Sequence, residues 1–230
     1  MKGRCVLRNQ EKDAAEMKAR RERILETGFR LFSEQSIESV SMNTVAQACG
    51  VGIATLYRYF STKLALVIAV GAWQWERYGE KMDARWSEAV GRLDASEAFA
   101  LYLDGFLELY RNHRDLLRFN QYFNVYVTRV GATQEQLRPY LEVLGLFSRR
   151  FHTLYQKAET DGTLQTTLSE RGLFTASLHL MLAAATRYAV GLLYLPEGGT
   201  DPEEELMLLR DMLMKEFQMK TKQKGTEETK

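Results

Sequence analysis

Residues 50–60, GVGIATLYRYF, combine two glycines with one arginine and three aromatic side chains. Such residues can form a phosphate-binding loop, part of a core, or a surface that contacts a charged partner. A GxGxxG nucleotide loop needs a third glycine where Thr55 stands, and it needs a strand before the first glycine. The residues before Gly50 predict a short helix instead, so the sequence does not support a nucleotide site.

Residues 53–60 separate into two faces when they are wound as a helix. Leu56 and Phe60 lie one turn apart with Ile53 near them, and this face is predicted to be buried. The opposite face carries small, polar and basic groups edged by two tyrosines: Ala54, Thr55, Arg58, Tyr57 and Tyr59. A solvated helix face more often carries Glu, Lys and Gln, so this face is predicted to contact a partner.

The outer face has the chemistry of a DNA-reading surface. An arginine such as Arg58 can form a bidentate pair with guanine O6 and N7, and the methyl groups of Ala54 or Thr55 can meet a thymine methyl. The hydroxyls of Tyr57 and Tyr59 can reach phosphates. Double-stranded DNA is therefore the partner that these residue types favour.

The preceding residues complete a helix-turn-helix. Ser41 is predicted to cap a helix over residues 42–49, and Gly50 breaks that helix before Gly52 caps the next. The free N–H groups at the start of the first helix and the Ser41 hydroxyl suit a phosphate oxygen. Asn43 is expected to be exposed beside them, and Lys63 opens the following helix as a further phosphate ligand.

Residues 41–51 (SMNTVAQACGV), residues 54–60 (ATLYRYF), Lys63 and Leu66 closely resemble the DNA-binding signature of TetR-family transcriptional regulators. The resemblance covers about residues 20–68. It implies a DNA-contacting set formed by Ser41, Asn43, Gly52, Ala54, Thr55, Tyr57, Arg58, Tyr59 and Lys63. Three positions depart from the family's usual pattern, which has Ser or Thr at Gly52, often Gly or Pro at Ala54, and an acid at Leu64. The missing hydroxyl at Gly52 removes one expected phosphate contact.

The whole chain of 230 residues is predicted to be all-α, with about nine helices and no convincing hairpin. The first helix is expected over residues 13–34. Later helix starts are indicated by capping-box spacing at Asp94 with Glu97, Thr133 with Gln136 and Thr167 with Glu170, by a break at Asn112 and His113, and by Asp201-Pro202.

Four segments are predicted. Residues 1–19 form an extension that is either disordered or reaches a DNA groove, and residues 20–66 form a three-helix helix-turn-helix domain. Residues 67–218 form a helical ligand-binding and dimerisation domain, and the polar residues 219–230 are expected to be disordered. The residues up to 63 contain 11 Lys and Arg against 7 Asp and Glu, a mildly basic balance.

Other function classes find little support. The two cysteines, Cys5 and Cys49, form no CxxC pair or disulfide framework, and a cytoplasmic location is expected. The three histidines lack metal-site spacing, no GxSxG or GxxxxGK[ST] motif is present, and we expect neither a metal, a cofactor nor an enzyme. Residues 173–195 are long and apolar, but they contain His179 and Arg187 and are interpreted as an interface helix rather than a membrane span.

The TetR resemblance implies that a small molecule binds the C-terminal domain and weakens DNA binding. Aromatic residues are dense over 99–126 and 147–155, which predicts an apolar or aromatic effector. The candidate pocket residues are Phe99, Tyr102, Phe106, Phe119, Tyr122, Phe123, Tyr126, Phe147, Phe151, Tyr155, His179 and Arg187. Each aromatic is also compatible with plain core, and Arg187 is expected to be buried beside an anionic ligand or a partner's Glu.

The last two helices resemble the family's dimer interface, so a homodimer on a pseudo-palindromic operator is expected. The resulting hypothesis is a ligand-responsive transcriptional regulator, with repression as the family's usual mode. The alternative is a helical DNA-binding protein that has no small-molecule ligand and is controlled by a protein partner.

Overall fold

The computed structural model describes residues 2–89, 91–191 and 201–217, with residues 2–11, 84, 85 and 87 described by their backbone alone. Within these ranges the chain forms nine α-helices and no strand, which confirms the predicted all-α fold. The helices are α1 (Lys2–Gln35), α2 (Met42–Cys49), α3 (Ile53–Tyr59), α4 (Lys63–Ala89), α5 (Ala95–Asn112), α6 (Arg114–Arg129), α7 (Gln134–Asp161), α8 (Glu170–Val190) and α9 (Pro202–Phe217).

The N-terminal module is built by the second half of α1 together with α2 and α3. Ile24, Leu25 and Phe32 recur at helical spacing on α1, and all three side chains are fully buried. Val45 of α2 and Leu56 of α3 are also fully buried, so the two short helices are held by one shared core. Helices this short are marginal alone, and their stability here comes from this packing.

The turn between α2 and α3 is fixed by backbone hydrogen bonds. The Ser41 hydroxyl accepts from the Thr44 N–H at 3.0 Å and caps α2 as predicted. At the other end Gly50 adopts φ 68°, a left-handed conformation that favours glycine. The Gly50 N–H donates to the Gln47 carbonyl at 3.1 Å and the Val51 N–H to the Ala46 carbonyl at 3.0 Å, which ends α2 abruptly and redirects the chain.

The C-terminal body is a helical bundle connected to the module through α4 and α1. Helix α4 packs against α1 near its start and against α7 along its length. Helix α6 lies between α1 and α8, while α5 packs on α8 and α9. The rings of Phe29 on α1 and Phe119 on α6 are 5.6 Å apart, so the module and the body share a continuous apolar contact.

Two boundary predictions are wrong. Helix α1 begins at Lys2 rather than near residue 13, because residues 2–19 contain no proline and are rich in helix formers. Helix α8 is capped by Ser169, whose hydroxyl accepts from the Gly172 N–H at 3.2 Å, and not by a Thr167 box. The capping boxes at Asp94 and Thr133 are confirmed.

Two predictions fall partly or wholly outside the described residues: the polar tail over residues 219–230 and the end of the apolar segment over residues 192–195. The described part of that segment, α8, is long and apolar enough to cross a membrane, as are α3 and α4 together if their 62° bend is counted within one span. Core helices of soluble proteins meet the same criterion, and several α8 side chains, such as Leu173 and Met181, are fully buried against the bundle.

Candidate nucleic-acid interface and ligand cavity

Helix α3 has the two faces that its sequence predicts, with one exception. Leu56 is fully buried and Phe60, which follows the helix, is 5% exposed, so these two side chains anchor it. Ala54 and Arg58 are exposed on the opposite side. Ile53 is 37% exposed, so its assignment to the buried face is wrong: it is the first residue of the helix and lies beyond the reach of the module core.

The outer face of α3 is free of internal ion pairs. Within the described ranges Arg58 forms no salt bridge or hydrogen bond, and Tyr57 is 48% exposed. Thr55 is half-buried beside them, and the half-buried Tyr59 hydroxyl lies 3.5 Å from the Met17 carbonyl of α1, a marginal hydrogen-bond distance. Gly52 caps α3 without a side-chain hydrogen bond, as its missing hydroxyl predicts.

The start of α2 lies in the same module, and Ser41 and Asn43 are both exposed there. The Ser41 hydroxyl is already engaged with the Thr44 N–H and lies 2.8 Å from the Thr44 hydroxyl. Helix α2 carries no acidic residue in its first turn, so its N-terminal dipole is not neutralised by its own sequence. These groups together form a polar, positively biased edge beside α3.

Lys63 occupies a different environment from the one its position in the sequence suggests. Its ammonium donates to the Glu38 carbonyl at 3.3 Å and lies 5.5 Å from the centroid of the Tyr126 ring on α6. Partial burial lowers its pKa, with the Glu38 carboxylate opposing that shift. Lys63 therefore joins the start of α4 to both the module and the body, and any phosphate contact would compete with these interactions.

The body encloses a cavity of about 560 Å³ between α4, α5, α6, α7 and α8. Its wall is mostly aromatic and aliphatic. Phe123 and Tyr140 stack at 4.3 Å, Tyr102 and Phe151 meet edge-on at 5.0 Å, and Trp75 meets Phe147 edge-on at 5.8 Å. A cavity of this size and character suits a drug-sized apolar ligand.

Half of the candidate pocket residues line this cavity: Tyr102, Phe106, Phe123, Phe147, Phe151 and His179. The others do not: Phe99, Phe119, Tyr122, Tyr126, Tyr155 and Arg187. Phe99 and Phe119 are fully buried in the core. The Tyr155 hydroxyl donates to the Leu168 carbonyl at a distance of 3.1 Å, and neither residue lines the cavity. Arg187 lies on an exposed face of α8, which argues against the ligand alternative and leaves the alternative of a partner's Glu.

The candidate pocket residues included none from α4, although four of its side chains line the cavity. Trp75, Tyr78, Met82 and Trp86 recur on one face of α4 and all line the cavity. Their spacing of three and four residues is the signal that could have identified them. Tyr140 on α7 and Phe174 on α8 lie outside the dense aromatic segments and were also missed.

Few polar groups line the cavity, and two of them have unpaired donors. The indole N–H of Trp75 and the Nη1 group of Arg150 are buried, and neither has a hydrogen-bond partner in the described part of the chain. Arg150 otherwise pairs with Asp83 and donates to the Gly79 carbonyl at 3.1 Å. No carboxylate lines the cavity among the described residues.

A buried hydrogen bond links Tyr140 to Asn120 inside the cavity wall. The Tyr140 hydroxyl donates to the Asn120 amide oxygen at 3.1 Å, and both residues are nearly fully buried. Burial raises the pKa of the Tyr140 phenol, and interaction with Trp75 offsets this only in part, so the phenol stays neutral. The Trp75 N–H approaches that phenol without making a hydrogen bond of normal geometry.

The cavity wall and the module meet at α4. A Cβ atom on Gly71 would lie 3.1 Å from the Tyr140 ring and 3.2 Å from the Phe123 ring, so a larger residue there would press on both rings. Helix α6, which carries Phe123, also carries Tyr126 against Lys63. The cavity wall is therefore in direct contact with α4 and α6, the two helices that hold the module.

Residues 24–70 match the family model described as bacterial regulatory proteins, tetR family. This segment is therefore similar to the DNA-binding module of TetR-family regulators. Over 59 residues the chain is 44% identical to an HTH-type transcriptional regulator of Staphylococcus aureus strain bovine RF122, and over 52 residues it is 46% identical to one from strain USA300. These alignments cover 26% and 23% of this chain, and the chain spans only 30% and 26% of those relatives.

Solved structures resemble the chain over most of its length. A transcriptional regulator from Saccharomonospora viridis in complex with choline superposes with a TM-score of 0.67 at 18% identity, covering 86% of this chain and 97% of that one. FadR from Bacillus subtilis in complex with stearoyl-CoA gives a TM-score of 0.63 at 17% identity, covering 84% and 97%. At these identities the likeness establishes the TetR-type fold of the body and not its ligand.

The last two described helices, α8 and α9, leave apolar side chains in solvent. Leu180 on α8 is 49% exposed, and Leu208 and Met212 on α9 are 61% and 58% exposed. Large exposed apolar side chains grouped on neighbouring helices mark an interaction surface. We call Leu180, Met207, Leu208 and Met212 the α8–α9 apolar face.

Proposed function

We propose that this chain is a ligand-responsive transcriptional regulator that binds a pseudo-palindromic operator as a homodimer and is released by a small molecule. The observation that carries the proposal is the solvent-facing surface of α3, anchored from behind by Leu56 and Phe60 within a TetR-family module. Its Ala54, Tyr57 and Arg58 side chains are exposed and lie outside the module core. Its residue types suit the major groove.

The DNA contacts follow from the geometry of α3 and α2. Arg58 is the base-reading residue, because it is exposed and has no competing internal partner in the described ranges. Ala54 and Thr55 let the helix approach the bases closely, and Tyr57 reaches a phosphate. Ser41 and Asn43 hold a neighbouring phosphate at the start of α2, which fixes the register of α3.

The first experiment is selection of DNA fragments by the purified protein at near-physiological salt, followed by sequencing. Recovery of one pseudo-palindrome supports specific dimeric recognition. On that operator, Arg58→Ala is expected to weaken binding by about 5- to 150-fold and to relax preference at one base pair. Arg138→Ala on α7 removes an exposed positive charge outside the helix-turn-helix and should leave affinity unchanged. Equal behaviour of the two variants would refute the assignment of Arg58.

A homodimer through the α8–α9 apolar face supports this mode of binding. Two copies related by a two-fold axis would cover Leu180, Leu208 and Met212 and would present two α3 helices to successive major grooves. The exposed Arg187 lies on the same helix as Leu180 and would belong to this interface rather than to the ligand cavity.

Ligand control acts through α4 and α6. The cavity wall touches α4 at Gly71, and Lys63 ties α4 to Tyr126 of α6, so a ligand that displaces α6 shifts the module. The shift changes the distance between the two α3 helices of the dimer, and the ligand favours a spacing that no longer fits the operator. A coupling of about 1–3 kcal/mol gives measurable release.

Ligand control can be distinguished from control by a protein partner alone by testing whether the cavity binds a small molecule. A thermal melting curve measured against a panel of apolar and aromatic compounds tests for a ligand, since any compound that binds the native state raises its melting temperature. Stabilisation by a compound that also releases operator DNA supports ligand control. A broad panel with no shift would favour the protein-partner alternative.

A further inference from the structure

The aromatic cavity has a polar pattern that selects among ligand classes, and this inference rests on the proposed function of the cavity as the effector site. The two TetR-type structures described above carry choline and stearoyl-CoA, so the fold itself accepts chemically unrelated molecules. The selectivity of this chain has to come from its own lining. We propose that the effector is a neutral, planar aromatic molecule carrying a carbonyl-type acceptor oxygen, held between Trp75 and Arg150.

The two side chains that carry the unpaired donors both pack against a single aromatic ring. Trp75 meets the Phe147 ring edge-on at 5.8 Å, and the Arg150 guanidinium carbon lies 4.9 Å from the centroid of that ring. Trp75 is 5% exposed, and its N–H has no hydrogen-bond partner among the described residues. A buried donor without a partner carries a free-energy cost that an acceptor atom of a ligand removes.

Among the described residues, only the Nη1 group of the Arg150 guanidinium has no partner and can donate to a ligand. Asp83 takes up one edge of it and the Gly79 carbonyl accepts from Nη2, while Nη1 is buried and unpaired in the described part of the chain. Because the Asp83 carboxylate already balances its charge, the cavity offers a hydrogen-bond donor without a net positive charge. A ligand carboxylate would bring an unbalanced negative charge into a mostly apolar site, which is costly.

A cationic ligand is disfavoured because the cavity wall offers it no negatively charged partner among the described residues. No carboxylate lines the cavity among the described residues, and the Asp83 carboxylate is taken by Arg150. The other polar side chains of the wall are two amides, three phenols and one imidazole: Asn120, Asn124, Tyr78, Tyr102, Tyr140 and His179. The Asn120 amide oxygen accepts from the Tyr140 hydroxyl, so its NH₂ group is what it can present to a ligand. The wall therefore offers donors to an acceptor oxygen and flat apolar surfaces to aromatic rings.

Direct binding to the purified full chain without DNA tests this inference. The probe is prodan, a neutral aminonaphthyl ketone whose emission shifts to the blue when it leaves water. It is compared with its hydrocarbon analogue lacking the acyl group and with the corresponding aminonaphthoate, each measured by competition. The ketone is expected to bind about 5- to 100-fold more tightly than either analogue, from two hydrogen bonds of ordinary strength.

Variants separate the two donors from general packing. Trp75→Phe and Arg150→Lys are each expected to weaken ketone binding about 3- to 10-fold and to leave the hydrocarbon's affinity unchanged. Trp86→Phe, at another lining position, is the matched control and should affect ketone and hydrocarbon equally. If Arg150→Lys does not fold, Trp75→Phe alone decides, because it keeps an aromatic ring in place.

The role of Asp83 is tested by Asp83→Asn, which frees the charge of Arg150 without removing its contact surface. The aminonaphthoate is expected to gain at least tenfold in affinity in this variant while the ketone changes little. Tighter binding of the carboxylate than of the ketone to the wild type would overturn the inference, as would an equal loss of ketone and hydrocarbon binding in Trp75→Phe.

The binding titration tests the ligand class and the operator selection tests the proposed regulator, so either claim can fail without the other. Ketone-selective binding without any enriched operator would leave the ligand class standing and refute the proposed regulator. Specific operator binding with no preference for the ketone would do the reverse.

Discussion

Removal of one hydroxyl group, by Tyr140→Phe, tests how the cavity wall is held together. The Tyr140 hydroxyl donates to the Asn120 amide oxygen at 3.1 Å, with 6% of Tyr140 and 5% of Asn120 exposed. The phenylalanine ring would keep its stacking on Phe123, so the main loss is the hydrogen bond. The amide oxygen would then be left buried without a partner, which lowers the free energy of unfolding by about 1–3 kcal/mol.

Urea unfolding followed by circular dichroism measures this loss as a lower midpoint with an unchanged slope. Tyr155→Phe is the matched control, because its hydroxyl donates to the Leu168 carbonyl at the same 3.1 Å but in an exposed setting. Water replaces that bond, so the control should change stability by no more than about 0.5 kcal/mol. A Tyr140→Phe protein that unfolds within the same margin of the wild type would refute the claim that Asn120 depends on this partner.

Three further perturbations have expected outcomes. Ser41→Ala removes the acceptor for the Thr44 N–H and should lower the free energy of unfolding by about 0.5–2 kcal/mol in a urea titration. Desolvation raises the pKa of the Asp161 carboxyl, but hydrogen bonds from Thr163 and the Ala95 N–H outweigh it and lower that pKa below its ordinary value of 3.8. The ionised Asp161 carboxylate should therefore contribute its full stabilisation of the fold above pH 3.8 and lose it as the pH falls through the lowered pKa. Asp161→Asn should make the free energy of unfolding less dependent on pH in this acidic range. Leu208→Glu places a charge on the α8–α9 apolar face, and sedimentation should show a shift from dimer to monomer.

The helical module was predictable because its signals are local. Each signal involves residues within one or two helical turns of each other. These signals are the Ser41 cap before a helix with periodic apolar residues, the glycine at position 50, and the two opposite faces of α3. Ile53 broke the pattern because burial depends on whether a neighbour reaches a side chain, and periodicity gives only the face on which that side chain lies.

The cavity was only half predictable. Phe123 and Phe99 have the same residue type within aromatic-rich segments, yet one lines the cavity and the other is fully buried core. The difference depends on how far apart α4, α5, α6, α7 and α8 are held, and no local pattern encodes that distance. Lys63 shows the same limit, since its contact with Tyr126 joins residues far apart in the chain.

Helix periodicity, caps and turns are short-range properties of the chain, so the all-α class, the helix-turn-helix and its outward residues were predictable from the residues alone. The folded arrangement of the helices decided which aromatics enclose a space, that Arg150 is balanced by Asp83, and that the Trp75 N–H has no partner among the described residues. Those features are set by packing between helices distant in sequence, where a side chain's surroundings and its charge balance come from other parts of the fold.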